Sequence, residues 1–236
     1  MMKYVLFDLD GTLLPMDQNT FVNAYFKELA KKLAPHGYTA DALVKAVWNG
    51  TGRMQKNDGS SINEDVFWNS FSEDLGEGIL EKRPVFDEFY LNEFNNIRKS
   101  CGFTPRAKET VDLVGSLGGQ VAIATLPVFP ATAIEARIRW AGINPEELAL
   151  YTCYENCRFT KPNPMYYNEL LSKLSAKADE CIMVGNSVDE DMAAANVGMK
   201  VFLLTDCLIN ENGTDISGYP QGGWDELQSH IKELFK

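Results

Sequence analysis

The sequence predicts an α/β fold, built on a doubly wound parallel sheet with an all-helical segment inserted after the first strand. Short, continuous apolar runs recur in residues 1–16 and 101–236, and helical patterns lie between them. Such runs are typical of strands buried on both faces of a parallel sheet. Residues 17–100 contain helical patterns and no convincing buried strand. We therefore predict an α/β core from 1–16 and 101–236, and a helical cap from 17–100.

The predicted strands are all short enough to cross a sheet once. In chain order they are YVLF (4–7), VAIAT (121–125), LALYTCY (148–154), CIMVG (181–185) and KVFLLT (200–205). Strands that alternate with helices form right-handed βαβ units. This alternation predicts a Rossmann-like core, in which ligands bind outside the carboxyl ends of the strands.

Capping patterns predict where several helices of the core begin. Thr104 and Asn163 are each followed by a proline, which combines a capping side chain with a residue suited to the first helical turn. Ser187 and Glu190 form a capping-box pattern ahead of the segment EDMAAANVGM. The tail from 210 to 236 is predicted to be a Gly-rich loop followed by a last helix.

In the inserted segment, apolar residues recur at helical spacing. Phe21, Tyr25, Leu29 and Leu33 are four residues apart and predict one buried helix face. Further helices are predicted over 39–48, after a capping-box pattern at 61–64, and from Pro84. Residues 49–60, NGTGRMQKNDGS, are predicted to be a loop.

The composition limits the classes of function. The formal net charge of −11 disfavours nucleic acid and anionic membrane surfaces as partners. The first apolar stretch has only four residues, so neither a signal peptide nor a spanning helix is expected, and we expect a cytoplasmic protein. With two histidines and dispersed cysteines, a closed zinc site is not expected. The oligomeric state has no signal in the sequence.

Polar side chains follow four of the predicted strands. Parallel strands end at one edge of the sheet, so these side chains are predicted to lie close together. They are Asp8 and Asp10 after the first strand, Thr125 after the second, Lys161 past the third, and Asn186, Asp189 and Asp191 past the fourth.

These motifs, in this order, resemble those of the haloacid dehalogenase-like superfamily. The matching segments are DLDGTLL, a strand-end threonine, KPNP and GNSVDED, and the helical insertion is similar to that family's cap. The resemblance covers essentially the whole chain, and its most specific part is Asp-x-Asp-Gly-Thr. It implies a Mg²⁺-dependent phosphatase that hydrolyses a small phosphate monoester through an aspartyl-phosphate.

The residue types suit that chemistry. The Asp8 carboxylate is the candidate nucleophile, since its attack on phosphorus would give an acyl phosphate that water can open. Asp10 is the candidate general acid and base, and its pKa should be raised so that it can donate a proton. Thr125 and Lys161 are predicted to bind the phosphate, and Lys161 also to keep Asp8 ionised.

A bound Mg²⁺ would relieve the repulsion between carboxylate and phosphate. The predicted ligands are Asp8, the main-chain carbonyl of Asp10, and Asn186 or Asp191 from the fourth strand end. The family usually has aspartate after the glycine of its fourth motif, whereas this chain has Gly185 and Asn186. An amide oxygen can ligate the metal but brings no charge, so this position bears directly on metal affinity. Asp189 is an alternative source of charge, or simply an acid in a helix first turn.

The cap is predicted to close over the strand ends, excluding water and selecting the substrate. Arg53 and Lys56 are candidates to hold a distal anionic group, with a solvated loop as the alternative. A phosphoryl-transferring mutase and a weakly active or inactive phosphate-binding regulator remain open as functions. A carbon–halogen hydrolase is less expected, because it has no use for Asp10.

Overall fold

The computed structural model describes residues 2–236 and contains a six-stranded sheet in which every pairing is parallel. The strand order is β3-β2-β1-β4-β5-β6. The strands are β1 (Tyr4–Phe7), β2 (Gln120–Ile123), β3 (Leu150–Tyr151), β4 (Cys181–Gly185), β5 (Lys200–Leu204) and β6 (Gln221–Gly222). The predicted α/β class and doubly wound parallel sheet are confirmed.

The central strand, β1, is buried on both faces. Val5 and Phe7 belong to one apolar cluster, and Leu6 between them belongs to another. Side chains alternate between the faces of a strand, so a run of consecutive apolar residues fills both layers. This explains why continuous runs located the strands. The run 148–154 forms only a two-residue strand, and β6 was not predicted because Gln221–Gly222 has no apolar residue.

Eight α-helices accompany the sheet in the described chain 2–236. They are α1 (Gln18–Leu33), α2 (Ala40–Gln55), α3 (Asn63–Leu75), α4 (Arg83–Leu91), α5 (Pro105–Ser116), α6 (Ala131–Trp140), α7 (Pro164–Lys173) and α8 (Trp224–Leu234). Buried residues of α5, α6 and α8 share the cluster of Val5, and those of α7 share the cluster of Leu6. The helices of the core therefore cover both faces of the sheet.

The predicted starts of two core helices are confirmed. The side chains of Thr104 and Asn163 accept hydrogen bonds from backbone N–H groups in the first turns of α5 and α7. The capping box at 187–190 is wrong as a start of an α-helix. The backbone N–H of Glu190 does donate to Ser187 Oγ at 3.3 Å, but a turn follows, and residues Met192–Val197 form a 3-10 helix.

The segment 18–100 is helical, as predicted. All four residues of the predicted stripe on α1 are buried. The predicted loop 49–60 is wrong in its first half, because α2 continues to Gln55. Gly50 and Gly52 lie within this helix, and Gly50 is buried with Phe67 so close that a Cβ would lie 2.6 Å from the ring. Close packing thus overrides the low helix propensity of glycine.

The start of α3 is hydrogen-bonded to the loop that follows β3 in the core. The capping box predicted at 61–64 is wrong, since Ile62 occupies the cap position without a side-chain bond. The backbone N–H groups of Asn63 and Glu64 donate instead to the carbonyls of Cys157 and Tyr154, at 2.8 and 2.9 Å. These free N–H groups, which every helix start has, therefore connect the helical segment to the core.

The helical segment leaves and rejoins the core at adjacent points. Met16 forms an antiparallel bridge with Cys101, and the N–H of Gly102 donates to the carbonyl of Pro15 at 2.7 Å. We propose that this bridge divides a core of 1–16 and 101–236 from a cap of 17–100. No helix in the described part of the chain is both long and apolar enough to cross a bilayer.

Candidate active site

The polar strand ends meet at the point where the strand order reverses. Chain connections run outward from β1 to β2 on one side, and β4 continues on the other side of β1. Asp8 follows β1 directly, and its N–H donates to the carbonyl of Val184 in β4 at 2.8 Å. Asn186 follows β4. This crevice between two neighbouring strand ends is where open α/β sheets bind ligands.

Thr12 connects the first and fourth strand ends. Its hydroxyl lies 3.2 Å from Asp8 Oδ2 and 3.0 Å from Asn186 Oδ1. Gly11, which precedes Thr12 in the chain, has a φ of +88°, and a Cβ there would lie 2.4 Å from Asn186 Nδ2. Glycine is therefore required at position 11 both for the backbone conformation and for the close approach of Asn186.

Lys161 is buried between two carboxylates. Its Nζ lies 2.7 Å from Asp8 Oδ1 and 2.6 Å from Asp191 Oδ1, and the other oxygen of Asp191 accepts the N–H of Ser187 at 2.9 Å. Burial opposes the charged ammonium, but the carboxylates of Asp191 and Asp8 outweigh it and raise the pKa of Lys161 well above its usual value. Lys161 is therefore a permanent cation that orients Asp8.

Asp8, Lys161 and Asp191 form a buried triad that carries one excess negative charge when both acids are ionised. Two carboxylates share one ammonium, and burial raises the pKa of Asp191, against the opposing charge of Lys161. A site with excess buried negative charge and oxygen donors suits a hard divalent cation. Among residues 2–236, no three acid, imidazole or thiol side chains converge as a metal-binding group. The Asn186 amide oxygen is a further oxygen donor at this strand end, and it shares the Thr12 hydroxyl with Asp8.

Asp10 is held by a buried arginine that was not predicted. Arg137, on α6, donates from Nη1 to Asp10 Oδ2, and its side chain is only 1% exposed. The guanidinium lies 4.5 Å from the ring centroid of Phe129 and 5.6 Å from that of Phe21. Burial raises the pKa of the Asp10 carboxyl, against the opposing charge of Arg137. Asp10 Oδ1 is buried and has no partner among the described residues.

Replacing Arg137 with methionine is expected to lower the free energy of unfolding by about 3 kcal/mol, because it leaves a buried carboxylate without its partner. The measurement is urea-induced unfolding. Arg139→Met is the matched control on the same helix. Arg139 is exposed and pairs only with Glu135, so its loss should cost about 0.5 kcal/mol or less. Similar losses for the two variants would show that the Arg137–Asp10 pair contributes nothing.

Thr125 lies beside this group at the end of β2. It is buried, and its carbonyl accepts hydrogen bonds from Thr152 Oγ1 at 2.7 Å and from the Tyr166 hydroxyl at 2.9 Å. These bonds hold the backbone at the strand end. Thr125, Asp8 and Asp10 all line one cavity of about 370 Å³. The helical segment provides most of the opposite wall of this cavity.

The structure brings most of the predicted residues together. Asp8, Asp10, Thr125, Asn186 and Asp191 line one cavity, and Lys161 contacts Asp8 and Asp191. Asp189 also lines the cavity, but it is exposed and accepts a hydrogen bond from Asn212 at 2.7 Å. Arg53 and Lys56 do not join them. They lie in a separate surface depression with Glu73 and Asp74, and Arg53 pairs with Glu73 at 3.3 Å. These two side chains therefore lie outside the cavity that Asp8 and Thr125 line.

The sequence reasoning did not identify Thr12 or Arg137 as site residues. Thr12 had a signal, since it is the last residue of the Asp-x-Asp-Gly-Thr string. Arg137 had a weaker signal, because it shares a helix face with Ile134 and Ile138, which are buried. A charged residue at a position surrounded by buried residues indicates a buried partner.

Comparisons with known proteins identify the family of this chain. Residues 5–204 match the sequence profile described as haloacid dehalogenase-like hydrolase. The chain is 28% identical over 204 residues to a phosphoglycolate phosphatase of Vibrio parahaemolyticus, covering 86% of this chain and 83% of the relative. It is also 28% identical over 205 residues to a ribulose-1,5-bisphosphate 5-phosphatase of Halopiger xanaduensis, covering 84% and 83%.

Solved structures share the fold at lower identity. A haloacid dehalogenase-like phosphatase from Thermococcus onnurineus aligns with a TM-score of 0.60 at 20% identity, covering 98% of both chains. A 2-haloacid dehalogenase from Pseudomonas syringae pv. Tomato aligns with a TM-score of 0.64 at 18% identity, covering 100% of both. The resemblance inferred from the four motifs is confirmed, and the chain belongs to the haloacid dehalogenase-like hydrolase family.

Proposed function

We propose that this chain is a Mg²⁺-dependent phosphatase that hydrolyses a small phosphate monoester through an aspartyl-phosphate at Asp8. The observation that carries the proposal is the Asp8 carboxylate, held 2.7 Å from the Lys161 ammonium on the wall of a cavity, with Asp10 two residues away. The similarity to phosphatases named for phosphoglycolate and ribulose-1,5-bisphosphate supports the reaction class.

Asp8 acts as the nucleophile. An oxygen of its carboxylate forms a bond to phosphorus while the bond from phosphorus to the ester oxygen breaks. Lys161 orients Asp8 and places a positive charge beside it, and Asp191 in turn holds Lys161. The Thr125 hydroxyl and nearby backbone N–H groups hold the phosphoryl oxygens.

Asp10 moves the proton in both steps. Its neutral carboxyl donates a proton to the leaving ester oxygen, and the resulting carboxylate then takes a proton from the water that attacks phosphorus. The water's oxygen leaves as part of inorganic phosphate, and Asp8 is regenerated. Burial of Asp10, which raises its pKa, favours the neutral form that the first step needs. Arg137 is a positioning residue that fixes one carboxyl oxygen of Asp10.

The site residues also fit Mg²⁺. Asp8 and the Asn186 amide oxygen would hold the ion together with the main-chain carbonyl of Asp10. Asp191 adds negative charge, although both its oxygens already accept hydrogen bonds from Lys161 and Ser187. A bound Mg²⁺ would offset the repulsion between the Asp8 carboxylate and the substrate phosphate.

A screen of phosphate release from common phosphate monoesters, with Mg²⁺ and with EDTA in its place, tests the proposal. We expect phosphate release that EDTA abolishes and that added Mg²⁺ restores. Tight binding of a phosphate ester with no turnover at saturating Mg²⁺ would favour the regulator instead. An isomerised sugar phosphate without free phosphate would favour the mutase.

Replacing Asn186 with aspartate is expected to tighten Mg²⁺ binding on the order of tenfold, because it adds a full charge beside Asp8. Calorimetric titration of the protein with Mg²⁺ measures this without reference to activity. Asn69→Asp, on an exposed position of α3, changes the net charge equally and should leave the affinity within about twofold. Unchanged or weaker binding by Asn186→Asp would place the ion away from the end of β4.

A further inference from the structure

We infer that the site takes phosphate esters whose leaving group is uncharged and apolar, of aromatic size, and that it disfavours esters with a second anionic group. This inference rests on the proposed function, because it concerns the part of the substrate that lies beyond the phosphate. It differs from the substrates for which the relatives above are named, which carry a carboxylate or a second phosphate.

The cavity has two chemically different ends. One end is formed by the strand-end residues that would hold the phosphate, such as Asp8 and Thr125. The remaining lining is dominated by ten aromatic side chains, eight of which come from the helical segment. Trp48, Phe26 and Phe67 are among these eight, and Phe129 is one of the two from the core. Pockets that bind a molecule largely by apolar burial have this composition.

No lysine, arginine or histidine lines this cavity among residues 2–236, whereas acids do line it beyond the catalytic pair. Asp189, Glu190 and Glu211 stand on the strand-end side. Glu190 is half-buried and lines the cavity. A second anionic group on the substrate would meet either aromatic rings or these carboxylates, and both contacts are unfavourable.

Three basic side chains contact residues that line the cavity, and each of them is already paired with an acid. Lys161 contacts Asp8 and Asp191, and Arg137 contacts Asp10. Arg83 lies over the ring of Trp68 at 4.6 Å from its centroid and pairs with Glu64 at 3.6 Å, and it does not line the cavity. None of these guanidinium and ammonium groups is placed to bind the far end of a substrate.

Few polar groups remain on the aromatic wall. The hydroxyls of Tyr25 and Tyr90 bond to each other at 2.9 Å, so that their hydrogen-bonding capacity is partly used. Gln18, Thr51 and Gln55 are the neutral polar residues that the helices contribute to the lining. These side chains can bind a hydroxyl or amide on the leaving group, but they do not supply a counter-charge.

Three primary alkyl phosphates test the inference at constant reaction chemistry: 3-phenylpropyl phosphate, propyl phosphate, and the phosphate ester of 3-hydroxypropanoate. With Mg²⁺ present, we expect kcat/KM for the phenylpropyl ester to exceed that for the propyl ester on the order of 30-fold, from burial of the ring. The carboxylate ester should be turned over more slowly than the propyl ester. A carboxylate ester equal to or better than the phenylpropyl ester would overturn the inference and leave the phosphatase assignment intact.

Binding measurements separate the proposed phosphatase function from the inferred preference for an apolar leaving group. In the Asp8→Asn variant, calorimetry measures the affinity for the same three esters without turnover, and the phenylpropyl ester should again bind most tightly. If the natural chain hydrolyses none of them but this order of binding holds, the proposed function fails, and only the preference of the cavity for an apolar over an anionic group is supported. If the carboxylate ester binds most tightly, the inference is wrong whatever the activity.

Two substitutions at the cavity test the same idea within one protein. Gln55 is exposed and lines the cavity, and Gln55→Arg should raise the ratio of kcat/KM for the carboxylate ester to that for the propyl ester by about tenfold. Trp48→Ala should lower the ratio of the phenylpropyl to the propyl ester by about fivefold or more. Phe103→Ala, an equally exposed aromatic outside the cavity, should change neither ratio. Unchanged ratios in the first two variants would contradict the inference.

Discussion

Replacing Asp8 with asparagine is expected to reduce phosphate release by a factor on the order of 10⁴ or more, because the amide cannot form the acyl phosphate. The measurement is initial-rate phosphate release at saturating Mg²⁺. A rate near that of the natural chain would refute Asp8 as the nucleophile. The fold should remain, since Lys161 keeps its contact with Asp191 at 2.6 Å.

Asp179→Asn is the matched control for this substitution. Asp179 is an exposed aspartate before β4, and the same change of charge there should alter the rate by about twofold or less. Urea unfolding of both variants shows whether lost activity reflects lost chemistry or lost structure. A rate loss in Asp8→Asn that follows only from unfolding would leave the nucleophile unidentified at position 8 and contradict the prediction as stated.

Replacing Lys161 with methionine is expected to act on stability and rate together. The substitution leaves Asp8 and Asp191 buried without their common cation, and the free energy of unfolding should fall by about 3–5 kcal/mol. Phosphate release should fall on the order of 10²–10³-fold, because Asp8 loses the cation that orients it. Urea unfolding and phosphate release on the same preparation measure both effects.

A double variant separates the charge effect from a packing effect. Adding Asp191→Asn to Lys161→Met removes one of the two unpaired carboxylates, so part of the lost stability should return. If the double variant is less stable than Lys161→Met by the full cost of Asp191→Asn alone, the two residues are not coupled, and the account of the buried triad is wrong.

The sequence was most informative where burial decides the residue types. β1 and β4 match their apolar runs residue for residue, and the stripe on α1 is buried as expected. These elements could be predicted because their residue types depend on burial alone. Local signals failed where tertiary contacts decide: α2 continues through two glycines, and α3 begins without its expected cap.

The same distinction applies to the candidate site. Order along the chain and position at strand ends were sufficient to predict that Asp8, Lys161 and Asn186 converge. They were not sufficient to predict that Lys161 lies between two acids or that Arg137 pairs with Asp10, since those contacts depend on how α6 and the loop before α7 pack. Arg53 and Lys56 were proposed from loop composition, and α2 carries Arg53 to another surface.

The bridge between Met16 and Cys101 has an evolutionary consequence. Because the polypeptide departs and returns through adjacent backbone positions, an exchange of everything in between would leave the register of the central strands undisturbed. Recombination at this junction would then replace the helical segment, and with it the substrate preference, while the Asp8 carboxylate is retained. In such a lineage, reactivity and selectivity would be inherited as separate traits.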